Sequence, residues 1–521
     1  MKFSNRLLGP ILFLQVFSCS PKQTEPKKLP NIIVILADDL GYGDIGVFNP
    51  DSKIPTPNID QLAKDGMKFT DAHTPAAVCT PTRYGFLTGR YNWRSRLKSG
   101  VLTGKSNALI PDERTTIADV FKNKGYETAF IGKWHLGWNW GLKDVEANTG
   151  EGWNPQDFDQ IDFSKTVTHT PNDLGFDYAY GHSGSLDMAP YVYVENGMAT
   201  AIPDTVTVNT GKYSWWREGP TAPDFDHEKV TPHFFDKSIE YIESKAQTES
   251  PFFLYLALPS PHTPILPTEE WQGKSGVLPF GDFMMMIDDY VGKVNEAIKK
   301  AGIEENTLVI FTSDNGGSPA AGLEELAALG HLSNYVFRGN KADLYEGGHR
   351  VPFIAKWPER IKKGTSRDQT ICLTDFMATG AEIVGYSLQD NEGEDSYSLL
   401  GLFDADRTVD SFREATVHHS IDGSFAIRQG DWKLLMAKGS GGWSFPKPGD
   451  PAEESLPDIQ LYNLKNDPAE ASNIFAKNPE KVASLKALLI KYIKEGRSTP
   501  GALQSNDPIE GEWRQISFIE E

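Results

Sequence analysis

Three long apolar runs constrain the fold of this 521-residue chain more than any other feature. They are Asn31 to Ala37, Phe252 to Leu258 and Leu308 to Ser313, and nearly all of their residues are aliphatic or aromatic. A strand with one solvent-exposed face alternates apolar and polar residues, whereas a strand of a parallel sheet is buried on both faces and is apolar throughout. The runs therefore predict an α/β protein with a large, mostly parallel central sheet flanked by helices.

Polar residues follow each of these runs. Asp38 and Asp39 come after the first run, Asp314 and Asn315 come after the third, and prolines frame His262 after the second. Ligands of open α/β sheets gather at the carboxyl ends of the strands. Two adjacent carboxylates are costly at a buried strand end unless a cation compensates them. A helix cap or a turn would explain one such group, but the repetition favours a metal site with oxygen ligands.

The segment from Cys79 to Arg83 has the form C-x-P-x-R. Pro81 steers the preceding residue out of the helical region, so a helix can become regular only after it. Arg83 lies four residues beyond the cysteine, about one helical turn. Its guanidinium can therefore lie beside the cysteine side chain. A lone cysteine is more often a small buried hydrophobe, but a helix N-terminus beside a permanent cation is suited to an anionic ligand.

This segment and the following Leu87-Thr88-Gly89-Arg90 resemble the signature of type I sulfatases. Further motifs of that family follow in order along the chain: Asp38-Asp39, Lys133 and His135 in G-K-x-H, His262 in P-H-x-P, Asp314-Asn315, and Lys341 in R-G-x-K. The chain is thus identified as an arylsulfatase-like member of the formylglycine-dependent sulfatases, in the alkaline phosphatase superfamily.

The resemblance implies a modified cysteine, a metal ion and a set of cations. A maturation enzyme would oxidise Cys79 to formylglycine, an aldehyde that works as its hydrate. Ca²⁺ is the expected ion, with the ligands Asp38, Asp39, Asp314, Asn315 and the modified Cys79. The sulfate would be neutralised by this ion and by Arg83, Lys133 and Lys341.

The resemblance also implies a covalent mechanism in two steps. One hydroxyl of the hydrate attacks sulfur, His262 protonates the leaving alcohol and His135 assists, and the second hydroxyl then expels sulfate. Two alternatives stay open from the sequence. One is a related phospho- or phosphonate-ester hydrolase, although the additional His and Asp ligands of a two-zinc site are not found. The other is an inactive glycan-binding lipoprotein.

The substrate is predicted from the irregular regions of the chain. Gly175 to Asp187 is interpreted as a loop in which Ser185 matches a site serine of the family, and His182 either recognises a sugar hydroxyl or braces this loop. Residues 196–226 show little periodicity, and their Trp215 and Trp216 either stack on a sugar or pack a long loop. The hypothesis is a sulfated glycan or glycosaminoglycan, with a galactose-configured hexose.

The composition and the N-terminus bear on partners and location. A net charge of −20 argues against nucleic acid as a partner. Residues 1–18 are predicted to be a signal peptide, Cys19 a lipidation site and residues 19–30 a tether. The expectation is export in a bacterium, as a periplasmic or outer-membrane lipoprotein held only by its lipid, with simple secretion as the alternative.

The domain organisation is predicted from a change in pattern near residue 400. Residues 31–400 are expected to form the catalytic domain. Beyond it come short alternating strands at 415–419, 425–428, 432–436 and 460–463, and a helix at 479–494. This pattern indicates a smaller C-terminal α+β subdomain with an antiparallel sheet, over residues 401–521.

Overall fold

The computed structural model describes residues 1–2, 28–144, 155–409, 412–509 and 511–519. The predicted signal peptide and the lipidation site at Cys19 lie outside these ranges, apart from the first two residues. None of the helices in the described ranges combines the length and the apolar character needed to cross a bilayer.

The described residues form eighteen strands. In chain order they are β1 Asn31–Asp38, β2 Met67–Phe69, β3 Ala72–His73, β4 Glu127–Lys133, β5 Tyr178–His182, β6 Val194–Glu195, β7 Met198–Ala199, β8 Thr205–Asn209, β9 Trp216–Thr221, β10 Phe252–Pro261, β11 Thr307–Ser313, β12 Phe353–Lys356, β13 Thr365–Arg367, β14 Ile371–Cys372, β15 Thr416–His419, β16 Phe425–Gln429, β17 Trp432–Leu435 and β18 Gln460–Asn463.

The helices are α1 Pro57–Asp65, α2 Cys79–Thr88, α3 Ile117–Lys122, α4 Val230–Lys245, α5 Pro279–Lys300, α6 Leu323–Ala328, α7 Glu346–His349, α8 Phe376–Val384 and α9 Pro479–Glu495. Short 3-10 turns connect several of these elements.

The central sheet has ten strands in the order β13-β2-β12-β11-β1-β10-β4-β5-β6-β7. Its middle is parallel: β1 lies between β10 and β11, with Val34 opposite Tyr255 on one side and Ile310 on the other. Antiparallel strands flank this middle, with β12 next to β11 and β6 next to β5. The predicted α/β class with a mostly parallel sheet is confirmed.

Helices cover both faces of this sheet. Ile32, Val34 and Leu36 of β1 pack into one buried cluster with residues of α2, α3 and α8. The alternate residues Ile33 and Ile35 pack into a second cluster with residues of α1, α4 and α5. Burial on both faces is why β1 has no polar alternation, and it fixes the carboxyl ends of the strands as the accessible edge.

Two regions differ from their predicted structure. The presumed loop from Gly175 contains strand β5, which pairs in parallel with β4, and residues 196–226 contain β7, β8 and β9. In β5, Gly181 reflects close packing: a Cβ there would lie 1.9 Å from the carbonyl oxygen of Gly132. This glycine therefore serves a close approach of two backbones inside a sheet, where the prediction assumed a turn.

The C-terminal region forms its own antiparallel sheet of four strands, β15-β16-β17-β18. Val417, Ile427 and Leu434 of this sheet pack against Leu485 and Leu489 of α9. The smaller antiparallel layer that was predicted is therefore present. The boundary at residue 400 stays a prediction.

A buried ion pair fastens the segment after α2 to the chain near residue 395. Arg94 donates from Nε to Asp395 Oδ2 at 2.7 Å and from Nη2 to Oδ1 at 2.9 Å, and both side chains are fully buried. Arg94 Nη1 also donates to the carbonyl oxygen of Tyr492 in α9, at 3.0 Å. The Arg94 guanidinium thus connects the segment after α2 to the chain at residue 395 and to helix α9.

Arg94→Met is expected to lower the free energy of unfolding by about 3–5 kcal/mol, because it leaves the buried Asp395 carboxylate without its cationic partner and, among the described residues, with only the main-chain N–H of Tyr91 as a donor. The measurement is a urea titration. The control is Lys300→Met, which removes an exposed pair with Glu296 and is expected to change the midpoint little. Equal effects in the two variants would contradict this interpretation.

Candidate active site

The predicted strand-end residues meet at one edge of the central sheet. Asp38 ends β1, and Asp314 and Asn315 follow β11, its parallel neighbour. The main-chain N–H of Asp39 donates to Asp314 Oδ1 at 3.3 Å, and Asn315 Nδ2 donates to Asp39 Oδ1 at 2.8 Å. Asp39 has a φ of 66°, an uncommon conformation for this residue type that brings consecutive carboxylates into one site.

The Arg83 guanidinium lies beneath these carboxylates and is fully buried. Its Nε and Nη2 donate to Asp314 Oδ2 at 3.0 and 2.9 Å, and Nη2 also donates to Asp38 Oδ2 at 2.9 Å. Nη1 donates to the carbonyl oxygen of Lys133 at 2.8 Å. All three guanidinium nitrogens therefore contact protein oxygens, and Arg83 holds the carboxylates of Asp38 and Asp314 in position.

Two lysines complete a cluster of opposite charges. Lys133, at the end of β4, pairs with Asp38 Oδ2, and Lys341 lies 2.7 Å from Asp39 Oδ1. Burial raises the pKa of Asp38, but the charges of Lys133 and Arg83 outweigh it and hold that pKa well below its usual range. Asp38 is therefore ionised at any physiological pH.

Cys79 begins helix α2 and is buried. Burial raises the pKa of its thiol above the usual value, and the nearby Lys133 and Lys341 charges only partly offset this. The thiolate is the nucleophilic form of cysteine. An unmodified Cys79 would thus be a protonated and weakly reactive thiol at neutral pH, in spite of the cations around it.

The site fits a hard cation. Asp38 Oδ1 and Asn315 Oδ1 are buried and have no hydrogen-bond partner among the residues that the structure describes, which is costly unless something binds them. Burial and the Asp38 charge raise the pKa of Asp314 to about 6, as expected for a carboxylate that needs another positive charge nearby. Oxygen ligands of this kind are those of Ca²⁺.

A histidine lies next to the predicted metal ligands. Asp38, Asp39 and His262 present donor atoms within 4.8 Å of one another. His262 Nε2 lies 3.7 Å from Asp39 Oδ2. The residue predicted to act as an acid therefore lies directly beside the predicted metal ligands.

The two predicted site histidines differ in accessibility. His135, after β4, is fully buried, and its Nε2 donates to the carbonyl oxygen of Leu102 at 2.8 Å. Its Nδ1 has no hydrogen-bond partner in the described part of the chain. Burial and the Lys133 charge hold the pKa of His135 well below its usual value, so the ring is neutral. The His262 side chain is 11% exposed, and it is the histidine that a ligand reaches first.

Asp187 and Arg217 belong to this site and were not predicted. Asp187 accepts a hydrogen bond from Ser185 Oγ, pairs with Arg217, and lies 3.9 Å from His262 Nδ1. Burial raises the pKa of Asp187, but His262 and Arg217 more than offset this. Asp187 thus links the predicted Ser185 to His262. The only sequence signal was its place two residues after that serine.

The predicted sugar-binding residues lie in different environments. His182 is buried at the end of β5, stacked on Phe234, and burial followed by the Lys133 charge lowers its pKa to about 3. Trp216 stacks on His227 with ring centroids 4.0 Å apart. Trp215 lies against the Arg217 guanidinium, 5.1 Å from its ring centroid. Of these, Trp215 is therefore the one next to a site residue, and recognition of a sugar by any of them stays a prediction.

Comparisons with known proteins agree on one family. A family model described as Sulfatase matches residues 30–386. The chain is 31% identical over 498 residues to an N-acetylgalactosamine-6-O-sulfatase of Bacteroides thetaiotaomicron, covering 88% of this chain and 92% of that protein. It is 33% identical over 490 residues to human arylsulfatase A, covering 91% and 90%.

Solved structures give the same picture. A structure from work on the metabolism of multiple glycosaminoglycans by Bacteroides thetaiotaomicron superposes with a TM-score of 0.77 at 30% identity. The match covers 89% of this chain and 99% of that one.

The buried oxygen ligands predict Ca²⁺ binding that depends on Asp314. Calorimetry of chelator-treated protein should show one Ca²⁺ site, and added Ca²⁺ should raise the thermal midpoint because it binds only the folded state. Asp314→Ala is expected to weaken binding at least tenfold. Asp288→Asn, a buried carboxylate on α5 that caps α1, is the control. If Asp314→Ala binds Ca²⁺ as tightly as the wild type does, the metal assignment is wrong.

Proposed function

Because this chain belongs to the sulfatase family and hydrolyses sulfate esters, we propose that its substrate is a saccharide carrying a sulfate on a galactose-configured hexosamine. Two further parts of the proposal are conversion of Cys79 to formylglycine by a maturation enzyme and a resident Ca²⁺ ion. The observation that carries the proposal is the buried group of cations around the strand-end carboxylates.

The charge balance of the site favours a sulfate ester. Arg83, Lys133 and Lys341 are matched in the structure by the carboxylates of Asp38, Asp39 and Asp314. Asp38, Asp39, Asp314 and Asn315 would hold a Ca²⁺ ion, which would add two positive charges to this balanced set and would polarise the oxygens of the sulfate. The net charge of the whole protein is −20. With the ion bound, the site would be a locally positive pocket in a negatively charged protein, which favours binding of an anion.

The C-x-P-x-R form of the segment from Cys79 to Arg83 supports modification of Cys79. A buried, protonated thiol is a poor nucleophile, whereas a formylglycine hydrate supplies one hydroxyl to attack sulfur and a second to release the sulfate afterwards. The cysteine begins a helix, and helix N-termini favour the anion that would be bound there. The helix, Lys133 and Lys341 therefore orient the sulfate toward residue 79.

His262 and His135 serve different proton transfers: one donates a proton and the other accepts one. His262, the more exposed ring, gives a proton to the leaving alcohol. The carbonyl oxygen of Thr263 contacts Nδ1 and fixes the ring. Burial and the Lys341 charge lower the pKa of His262, and the Asp187 carboxylate, 3.9 Å from Nδ1, favours the charged ring against them. Arg217 and Ser185 in turn hold Asp187. His135 is neutral and keeps a free acceptor nitrogen, which suits it to accept a proton from a hydroxyl at residue 79.

The substrate class comes from the relatives. The Bacteroides thetaiotaomicron relative is named for the 6-O-sulfate of N-acetylgalactosamine, and its similarity extends over most of both chains. The glycosaminoglycan context of the superposed structure points the same way. We therefore assign the 6-sulfate of N-acetylgalactosamine, free or at the end of a glycosaminoglycan fragment, as the substrate.

The test is a panel of 6-sulfated N-acetylgalactosamine, 6-sulfated N-acetylglucosamine and 4-sulfated N-acetylgalactosamine, with sulfate release measured by ion chromatography. The expected result is a kcat/KM for the first sugar at least tenfold above the others, because an epimer leaves polar groups of the site unpaired. Cys79→Ser is the inactive control, since serine cannot expel sulfate after attack. Preference for another sugar would overturn the substrate assignment, and full turnover by Cys79→Ser would overturn the formylglycine assignment.

A further inference from the structure

One exposed tryptophan of the C-terminal region lies beside the active site. The Trp443 ring centroid is 5.8 Å from Lys341 Nζ. Lys341 is buried and pairs with Asp39, whereas Trp443 is 38% exposed. The indole therefore lies outward of the lysine, between the buried charges and solvent. Among the described residues, its N–H has no hydrogen-bond partner.

The backbone around Trp443 is fixed to the segment that carries Lys341. Asp343 Oδ1 accepts hydrogen bonds from the main-chain N–H groups of Trp443 and Ser444, at 2.7 and 3.0 Å. Asn340 Nδ2 donates to Ser444 Oγ at 2.8 Å. Residues on both sides of Lys341 thus hold the tryptophan loop.

The loop that carries Trp443 and the segment that carries Lys341 also approach too closely for a side chain to fit between them. A Cβ at Gly442 would lie 2.3 Å from the carbonyl oxygen of Ala342. Leu344 N–H donates to the carbonyl oxygen of Ser440 at 2.8 Å. These contacts fix the main chain of Trp443 relative to the segment that carries Lys341, and an aromatic side chain with few rotatable bonds binds a ligand at low entropic cost.

We propose that Trp443 forms an aromatic wall of the substrate site and packs against the pyranose ring whose sulfate Lys341 binds. This inference rests on the proposed function, because it needs a saccharide on the sulfate. An indole covers the C–H face of a sugar, and its free N–H can donate to one hydroxyl. Trp443 would then be a specificity-determining residue supplied by the C-terminal region.

The experiment uses the full-length, Ca²⁺-loaded enzyme and four proteins: wild type, Trp443→Ala, Trp443→Phe and Phe445→Ala. Phe445 is the matched control, because it lies two residues away on the same loop and is 68% exposed. For each protein, KM and kcat are measured with 6-sulfated N-acetylgalactosamine, and inhibition is measured with inorganic sulfate.

Trp443→Ala is expected to raise KM for the sugar about tenfold or more, the loss expected for a removed aromatic contact. Its kcat should change less, and its inhibition constant for inorganic sulfate should stay near that of the wild type. Trp443→Phe should recover most of the affinity, and Phe445→Ala should behave as the wild type does.

Three results would overturn the inference. In the first, Trp443→Ala keeps the wild-type KM for the sugar. In the second, it weakens inhibition by sulfate as much as it raises the KM, because the tryptophan would then only support Lys341. In the third, the wild type cleaves no sulfated sugar, which would overturn the proposed substrate as well. The first two results leave the proposed function intact, so the two failures are distinguishable.

Discussion

The contact between Arg83 and the carboxylates of Asp38 and Asp314 is the interaction on which the site depends. These carboxylates come from the ends of two adjacent parallel strands, where burial and mutual repulsion would otherwise drive them apart or protonate them. One guanidinium, with 2.9 Å bonds from Nη2 to both, keeps them ionised and close. The helix that carries Arg83 also begins with Cys79. The helix therefore fixes the position of Cys79 relative to Arg83.

The C-terminal region takes part in this arrangement through the backbone. The main-chain N–H of Ala77, two residues before Cys79, donates to the carbonyl oxygen of His419 at 2.8 Å. The N–H of Ala342 donates to the carbonyl oxygen of Ala77 at 2.7 Å, and Ile421 N–H donates to that of Ala342 at 3.0 Å. The segments carrying Cys79 and Lys341 are therefore held together by the end of β15. Because of these contacts, we regard the small antiparallel sheet as part of the active-site scaffold.

Much of the fold and part of the site could be predicted from the sequence. Apolar runs that end in acidic or amide residues identify both the parallel sheet and the edge where Asp38 and Asp314 meet, because burial on both faces requires an unbroken apolar run and ligands bind at the carboxyl ends of such strands. Asp187, Arg217 and Trp443 could not be found in that way. Their importance arises from contacts between segments far apart in sequence, such as Asp187 with His262 at 3.9 Å and Lys341 with Trp443 at 5.8 Å. Strand β5 was missed because Gly181, a turn residue by type, is used there for close strand packing.

The central claim is that this buried cluster of charges serves a formylglycine at position 79, and one measurement tests it directly. It is the mass of the proteolytic peptide containing residue 79, from protein produced together with a formylglycine-generating enzyme and assayed for sulfate release in the same preparation. The account predicts that the aldehyde form of the peptide is present and that specific activity rises in proportion to its fraction. Full activity in a preparation whose residue 79 is entirely cysteine would contradict the account.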